Sequence, residues 1–232
     1  MPTKSIFINV LSWFWTISFG IITVLLILKF VVFQQVNVVG PSMQPNYYTG
    51  DLLFVNQIDK NFRRGQVVAV YEDRVVAKNA DYFTRFQAKF YLKRIIALPG
   101  EEVEILGDKV IIYNKENPNG AILEEKYMGA EIIRQEKENC QNNLNSCYFA
   151  KIKIPNNEYF LLGDNRVQSS DSRALGPFPD YALFGQEALR FWPFDRKEIF
   201  NLPDYKWTSI DPQTKNRIEE FKKMRLISIV QQ

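Results

Sequence analysis

Three segments of the 232-residue chain carry side chains suited to nucleophilic and acid–base chemistry. The first reads Val38-Val39-Gly40-Pro41-Ser42-Met43-Gln44-Pro45, with Gly50-Asp51 close behind. Glycine and proline around a serine restrict the backbone. They can hold the hydroxyl outward and aim backbone N–H groups at a reacting carbonyl oxygen. The same residues also make an ordinary turn. The second segment is Tyr91-Leu92-Lys93-Arg94-Ile95-Ile96-Ala97-Leu98-Pro99-Gly100. In a strand, Lys93 shares a face with Tyr91, Ile95 and Ala97, whereas Arg94 shares the other with Leu92, Ile96 and Leu98. One cation therefore sits among apolar neighbours. A desolvated lysine loses its proton readily and becomes a base, which arginine does not. A lysine snorkelling at the sheet margin is the alternative. The third segment, Gly163 to Gly176, is dense in short polar side chains and follows the apolar Tyr159-Phe160-Leu161-Leu162. It reads as an ordered network of hydrogen bonds and ion pairs. A calcium loop is the weaker reading, because Arg166 and Arg173 compete for Asp164 and Asp171.

Composition narrows the chemistry. The chain has no histidine, which removes Ser-His-Asp and Cys-His mechanisms and nearly every catalytic zinc site. Acid–base work then falls to Lys, Asp, Glu or Tyr. No metal or cofactor is expected. A net charge of +3 gives no electrostatic case for a nucleic-acid partner. Cys140 and Cys147 flank a polar stretch, so a local disulfide fits an oxidising compartment; two free thiols are the other reading.

The elements that must position these residues begin with a membrane anchor. From Ile6 to Phe33 the only charge is Lys29, near the C-terminal end, where its stem can snorkel. Such a run supplies the ~20 apolar residues that cross a bilayer core, and Trp13 and Trp15 suit an interface. No Ala-x-Ala follows, which favours an uncleaved anchor over a removed signal. Lys4 and the amino terminus on one side favour an inside N-terminus, with the bulk of the chain outside. Beyond the anchor, short Val/Ile/Phe/Tyr-rich runs recur between turn signals: Asp51–Asn56, Gln66–Tyr71, Phe90–Leu98, Glu102–Ile105, Val110–Tyr113, Tyr148–Ile154 and Tyr159–Leu162. The fold expected is mainly β, an antiparallel β-sheet catalytic domain with one N-terminal transmembrane helix. The domains expected are an anchor at 1–33, a β domain at 34–200 with an insertion at about 106–153, and a C-terminal tail at 201–232. No strong helical period appears before residue 210; the tail carries a short amphipathic helix from Asn216.

Taken together and in this order, the segments resemble the type I signal (leader) peptidase family of Ser-Lys proteases. The matching pieces are Pro41-Ser42-Met43 with Pro45 and Gly50-Asp51, then Arg64-Gly65, Lys93-Arg94 and Leu98-Pro99-Gly100. They are followed by the Gly163–Gly176 loop, Phe184-Gly185 and Phe191-Trp192-Pro193-Phe194-Asp195. The resemblance implies Ser42 as nucleophile and Lys93 as general base, with Ser169 hydrogen-bonded to the lysine amine. It implies Asp164, Asp171 and Arg173 as supporting loop residues. Val38, Val39, Met43, Tyr47, Tyr91 and Leu92 would line shallow pockets for small side chains. Two departures stand out. Many members carry a serine where Gly40 stands, so the oxyanion must rely on the Ser42 N–H and another donor. Asn46-Tyr47 replaces the usual Thr-Leu, which changes the pocket.

The implied activity is peptide hydrolysis through an acyl-enzyme, removing signal peptides after Ala-x-Ala-like sites. A specialised peptidase that matures one pilin or conjugation-type substrate shares the chemistry. A non-enzymatic anchored β domain would require Ser42 or Lys93 to be missing. The partners implied are exported preproteins and the lipid bilayer. The chain is expected to be a monomer in the plasma membrane, its catalytic domain on the extracytoplasmic side.

Overall fold

The structure is a computed structural model that describes residues 3–27, 32–79, 81, 84, 88–142, 147–196, 198–199, 202–203 and 205–230. A helix α1 (Thr3–Ile27) leads into β1 (Phe33–Asn37), β2 (Leu52–Asn56) and β3 (Val67–Tyr71). Helix α2 (Arg74–Asn79) precedes β4 (Phe90–Ala97), β5 (Glu102–Leu106), β6 (Lys109–Tyr113) and β7 (Ala121–Glu124). Then come α3 (Ala130–Asn142), β8 (Tyr148–Lys153), β9 (Glu158–Leu162), a short α4 (Ser172–Leu175) and β10 (Phe178–Pro179). The chain closes with β11 (Leu183–Trp192), β12 (Glu198–Ile199), β13 (Lys206–Ser209) and α5 (Pro212–Val230).

The strands form two antiparallel sheets. The larger runs β1-β2-β11-β3-β4-β9-β10 with β12 added beside β11, and the smaller runs β13-β7-β6-β5-β8. β4 and β9 are covered on both faces. Ile95 and Leu161 pack into one core with Val68, Val70 and Phe178. Ile96, Phe160 and Leu162 pack into another, which they share with Val103, Val110 and Ile112 of the smaller sheet. Double coverage explains why Ile95, Ile96 and Ala97 of β4 and Tyr159, Phe160, Leu161 and Leu162 of β9 read as apolar runs without alternation. Each fully buried Ile, Leu or Phe there contributes roughly 1.5–3 kcal/mol. It also buries Lys93 and Arg94 together, at 2% and 4% exposure, where strand alternation alone called for one of them.

Every strand expected from the β-rich runs is present within a residue or two at its ends. Three differences concern the site. The ten-residue β11, the strand between β2 and β3, has no alternating pattern, because Gly185, Gln186 and Glu187 interrupt its apolar residues and its register to both neighbours shifts. Helix α3 lies in the region after the anchor where no strong helical period was expected. Its apolar side is only Ile132 and Cys140 in an otherwise polar sequence, too thin a stripe to read as a period. The C-terminal helix spans Pro212–Val230, longer than expected. Its Ile218 and Phe221 pack on Leu106, Ile111, Tyr148 and the Cys140–Cys147 disulfide, whose Cα atoms are 4.4 Å apart.

The side chains of α1 are described from Ser12 to Ile27; most are apolar and exposed, and Ser12, Thr16, Ser18 and Thr23 interrupt them. Among the described residues no helix is long and apolar enough to cross a membrane. Lys29, and with it the rest of the apolar run at 28–31, lies outside the described residues.

Candidate active site

Ser42 sits in the tight connection between β1 and β2. Val38 N donates to Asp51 O at 2.9 Å and Gly50 N to Val38 O at 3.0 Å, which closes the base of this loop. Inside it, Gln44 N donates to Pro41 O at 3.1 Å and Tyr47 N to Met43 O at 3.0 Å, so the residues after Ser42 coil into a turn. Gly40 stands at φ +88°, a region side chains avoid, and its N–H donates to Thr49 Oγ1 at 3.0 Å. Backbone conformation thus accounts for glycine rather than serine at this position. Asp51, fully buried, accepts from Tyr48 N at 3.0 Å and from Arg196 at 2.9 Å and so pins the far side of the loop.

Lys93 comes from the middle of β4, paired with Val68 of β3. Its Nζ lies 3.0 Å from Ser42 Oγ and donates to Leu92 O at 3.1 Å, with the Tyr91 ring 5.3 Å away. Burial lowers its pKa to about 8, against the opposing pull of the Asp171 and Asp164 carboxylates. Half of the amine is therefore neutral near pH 8, and with the amine neutral the Ser42 hydroxyl can donate to it.

The polar loop after β9 closes over this pair. Arg94 pairs with Leu162 across the strands, which places Gly163 beside Lys93. Asn165 N donates to Ser42 O at 3.0 Å. Gly163 is wedged in: a Cβ there would come within 2.5 Å of Ser42 O and 2.6 Å of Ser169 Cβ. Asp171 accepts from Gly163 N at 3.1 Å and from Arg173 at 2.9 Å. Burial pushes its carboxyl up, but Arg173, the Gly163 N–H and the Ser169 hydroxyl together hold it below the usual value. Asp164 forms a bidentate pair with Arg94 at 2.8 and 2.6 Å, both side chains buried. Arg94 also donates to Gly65 O at 2.8 Å, and Asn46 Nδ2 to Asp164 Oδ2 at 2.8 Å.

The structure thus brings Ser42, Lys93, Asp164, Asp171 and Arg173 into one cluster. Ser169 is there as well, but it packs against Gly163. Among the described residues its buried Oγ does not reach Lys93; it lies on the Asp171 side, where its hydroxyl helps to hold that carboxyl down. Of the expected pocket residues, Val38, Met43, Tyr47 and Leu92 form one apolar cluster with Leu53 and Val67. Tyr91 is half-buried and donates to Glu72 at 3.0 Å. Val39 is 82% exposed and is not part of that cluster.

Several contributors were not singled out from sequence. Tyr47 OH donates to the buried Glu187 of β11, and burial first, then Glu187, drives its pKa well up. Asn46 joins Asp164 to the carbonyl of Tyr127, and Thr49 caps Gly40. Asn46 was visible only as a departure from a Thr-Leu pattern, and Glu187 lies in the strand whose pattern is broken.

Comparison with known proteins adds independent findings. The family described as "Signal peptidase, peptidase S26" matches residues 10–192. Signal peptidase I P of Bacillus subtilis subsp. natto is 32% identical over 193 residues, covering 81% of this chain and 92% of that protein. Signal peptidase I S of Bacillus subtilis strain 168 is 32% identical over 197 residues, covering 83% and 95%. A crystal structure of a signal peptidase I from Enterococcus faecalis V583 is 27% identical and covers 54% of this chain and 96% of that one; its TM-score of 0.36 is too low to establish a shared fold.

Proposed function

Because this chain belongs to the signal peptidase family, peptidase S26, we propose that Ser42 is its nucleophile and Lys93 its general base. Its activity is that of a signal peptidase I, and it is a serine endopeptidase. The observation that carries the residue assignment is Lys93 Nζ at 3.0 Å from Ser42 Oγ in a site that leaves the lysine 2% exposed. Neutral Lys93 takes the Ser42 proton as Oγ bonds to the scissile carbonyl carbon. The C–N bond then breaks as Lys93 returns that proton to the leaving amine. Water attacks the acyl ester, Lys93 accepts its proton, and Ser42 Oγ leaves protonated. Among the described residues the Ser42 N–H donates to no other acceptor and is free to face the oxyanion.

The substrates proposed are exported preproteins cut after Ala-x-Ala-like sequences. The closely packed Val38, Met43, Tyr47 and Leu92 favour small side chains. We also propose that α1 anchors the chain in the plasma membrane, with the catalytic domain on the extracytoplasmic side. Trp13, Phe14, Phe19 and Leu25 of α1 are 70%, 68%, 72% and 58% exposed, and so many large apolar side chains need lipid or protein to cover them. The Cys140–Cys147 pair fits an oxidising compartment.

Incubating the full chain in detergent with a preprotein bearing an Ala-x-Ala site tests this function. N-terminal sequencing of the product should place the cut directly after the second alanine; cuts scattered elsewhere would refute the substrate assignment.

Activity should follow the neutral amine. With a Lys93 pKa of about 8, kcat/KM is expected to rise about tenfold per pH unit below that value and to level off above it. A profile measured from about pH 6 to 10 checks this. A single limb near the ordinary lysine range of about 10.4 would contradict the buried geometry.

A further inference from the structure

The catalytic loop is held from outside by the smaller sheet. Glu125, the residue after β7, is buried, and its Oε1 accepts from Arg166 and from the Tyr127 hydroxyl. Arg166 Nε donates to Gly163 O at 3.0 Å, and Gly163 touches the Ser42 carbonyl and lies beside Lys93. The Tyr127 ring stacks on Arg94 at 4.0 Å, and its carbonyl accepts from Asn46 at 3.0 Å. Gly129 in the same turn faces Pro45; a Cβ there would stand 3.0 Å from Pro45 Cγ. From α3, Glu136 reaches Arg173 at 3.7 Å, and Arg173 also donates to Arg166 O.

We propose that Glu125 is a positioning residue of the catalytic site: through Arg166 it clamps the Gly163–Asp171 loop onto Ser42 and Lys93 and keeps water from the lysine, with Glu136 as a second, weaker clamp. The inference rests on the assignment of Lys93 as base. A backbone that touches both reacting residues has no slack, and a misplacement of about 1 Å costs on the order of 100-fold in rate. Loosening the loop also rehydrates the amine, and rehydration favours its charged form.

The test is E125Q in the full chain in detergent, with kcat, KM and the pH profile measured beside wild type and the folded fraction taken from thermal melting. The variant is expected to lose tenfold or more of kcat at pH 7, with a smaller change in KM. The midpoint of its rising limb should move up from about 8 toward the ordinary lysine value. A merely structural role would lower the melting temperature or the active fraction and leave the midpoint in place; that result, or unchanged kcat in folded E125Q, overturns the proposal. If E125Q does not fold, E136Q carries the same test with a smaller upward shift, and an unmoved midpoint there overturns it equally. A wild-type profile without a limb near 8 would overturn the Lys93 assignment and the clamp with it. A normal wild-type limb that stays fixed in the variants overturns the clamp alone.

Discussion

Replacing Ser42 with alanine or Lys93 with methionine is expected to lower kcat for preprotein cleavage by about 10⁴-fold or more, and combining the two should cost little beyond either alone. The reason is that the two groups act as one unit. Without the amine, the hydroxyl keeps its proton; without the hydroxyl, the amine has nothing to activate. The folding consequences of the two changes differ. Ser42 is half-buried and its backbone carbonyl, which holds Asn165, stays in place, so Ser42→Ala should melt like wild type. Lys93 has its pKa lowered on folding from 10.5 to about 8, so the native protein disfavours the ammonium. Stability is therefore highest above the unfolded value, falls as pH drops through the folded one, and is fully lowered at neutral pH. The penalty corresponds to roughly 3 kcal/mol. Lys93→Met removes it and keeps most of the volume. This variant should be inactive yet more stable than wild type at pH 7, with the gain vanishing above about pH 10. Urea unfolding at the two pH values, set beside a preprotein assay, measures both halves. A Lys93→Met variant that is destabilised at pH 7, or that retains more than a trace of cleavage, would contradict the assignment of Lys93 as a buried base.

Asp164→Ala is expected to have the largest effect on stability, a loss of about 3–5 kcal/mol. The substitution leaves the Arg94 guanidinium buried beneath the Tyr127 ring, with Gly65 O as its remaining hydrogen-bond acceptor. It also deprives Asn46 of its carboxylate acceptor in the turn that follows Ser42. Removing the partner charge as well, in Arg94→Met/Asp164→Ala, should recover much of the loss, because the ion pair costs desolvation on both sides. Denaturant midpoints of the single and double variants decide the matter. A single variant within about 1 kcal/mol of wild type would mean the pair is solvated in solution, well outside the range for a broken buried pair.

The two cations of Lys93-Arg94 show how far the residues could be read in advance. Alternation along β4 put them on opposite faces and required one to be buried. It had no means of showing that a second sheet covers the other face and buries Arg94 too. Once both faces are covered, the arginine needs a carboxylate, and Asp164 supplies it from 70 residues away. The loop residues Asp164, Asp171 and Arg173 were legible as a polar group because they lie close together in the chain. Ser169 was assigned to the lysine by resemblance, yet among the described residues its hydroxyl packs against Gly163 on the Asp171 side and does not reach Lys93. Glu125 and Glu136 gave no signal, since each is an ordinary polar residue whose partner is distant in sequence; Asn46 showed only as a departure from the Thr-Leu pattern.

The sequence by itself determined the kind of chemistry available. An absent histidine leaves acid–base work to Lys, Asp, Glu or Tyr, and the turn residues between Val/Ile-rich runs dictate antiparallel β structure, because both are properties of residue type and short-range spacing; pairing Ser42 with Lys93 rested on the resemblance of the ordered segments to signal peptidases. Tertiary structure alone decided that Lys93 is buried, that Gly163 lies between the loop and Ser42, and that Glu125 and Glu136 reach Arg166 and Arg173 of that loop. Those features depend on burial and on contacts between residues far apart in the chain, and neither is a function of local sequence.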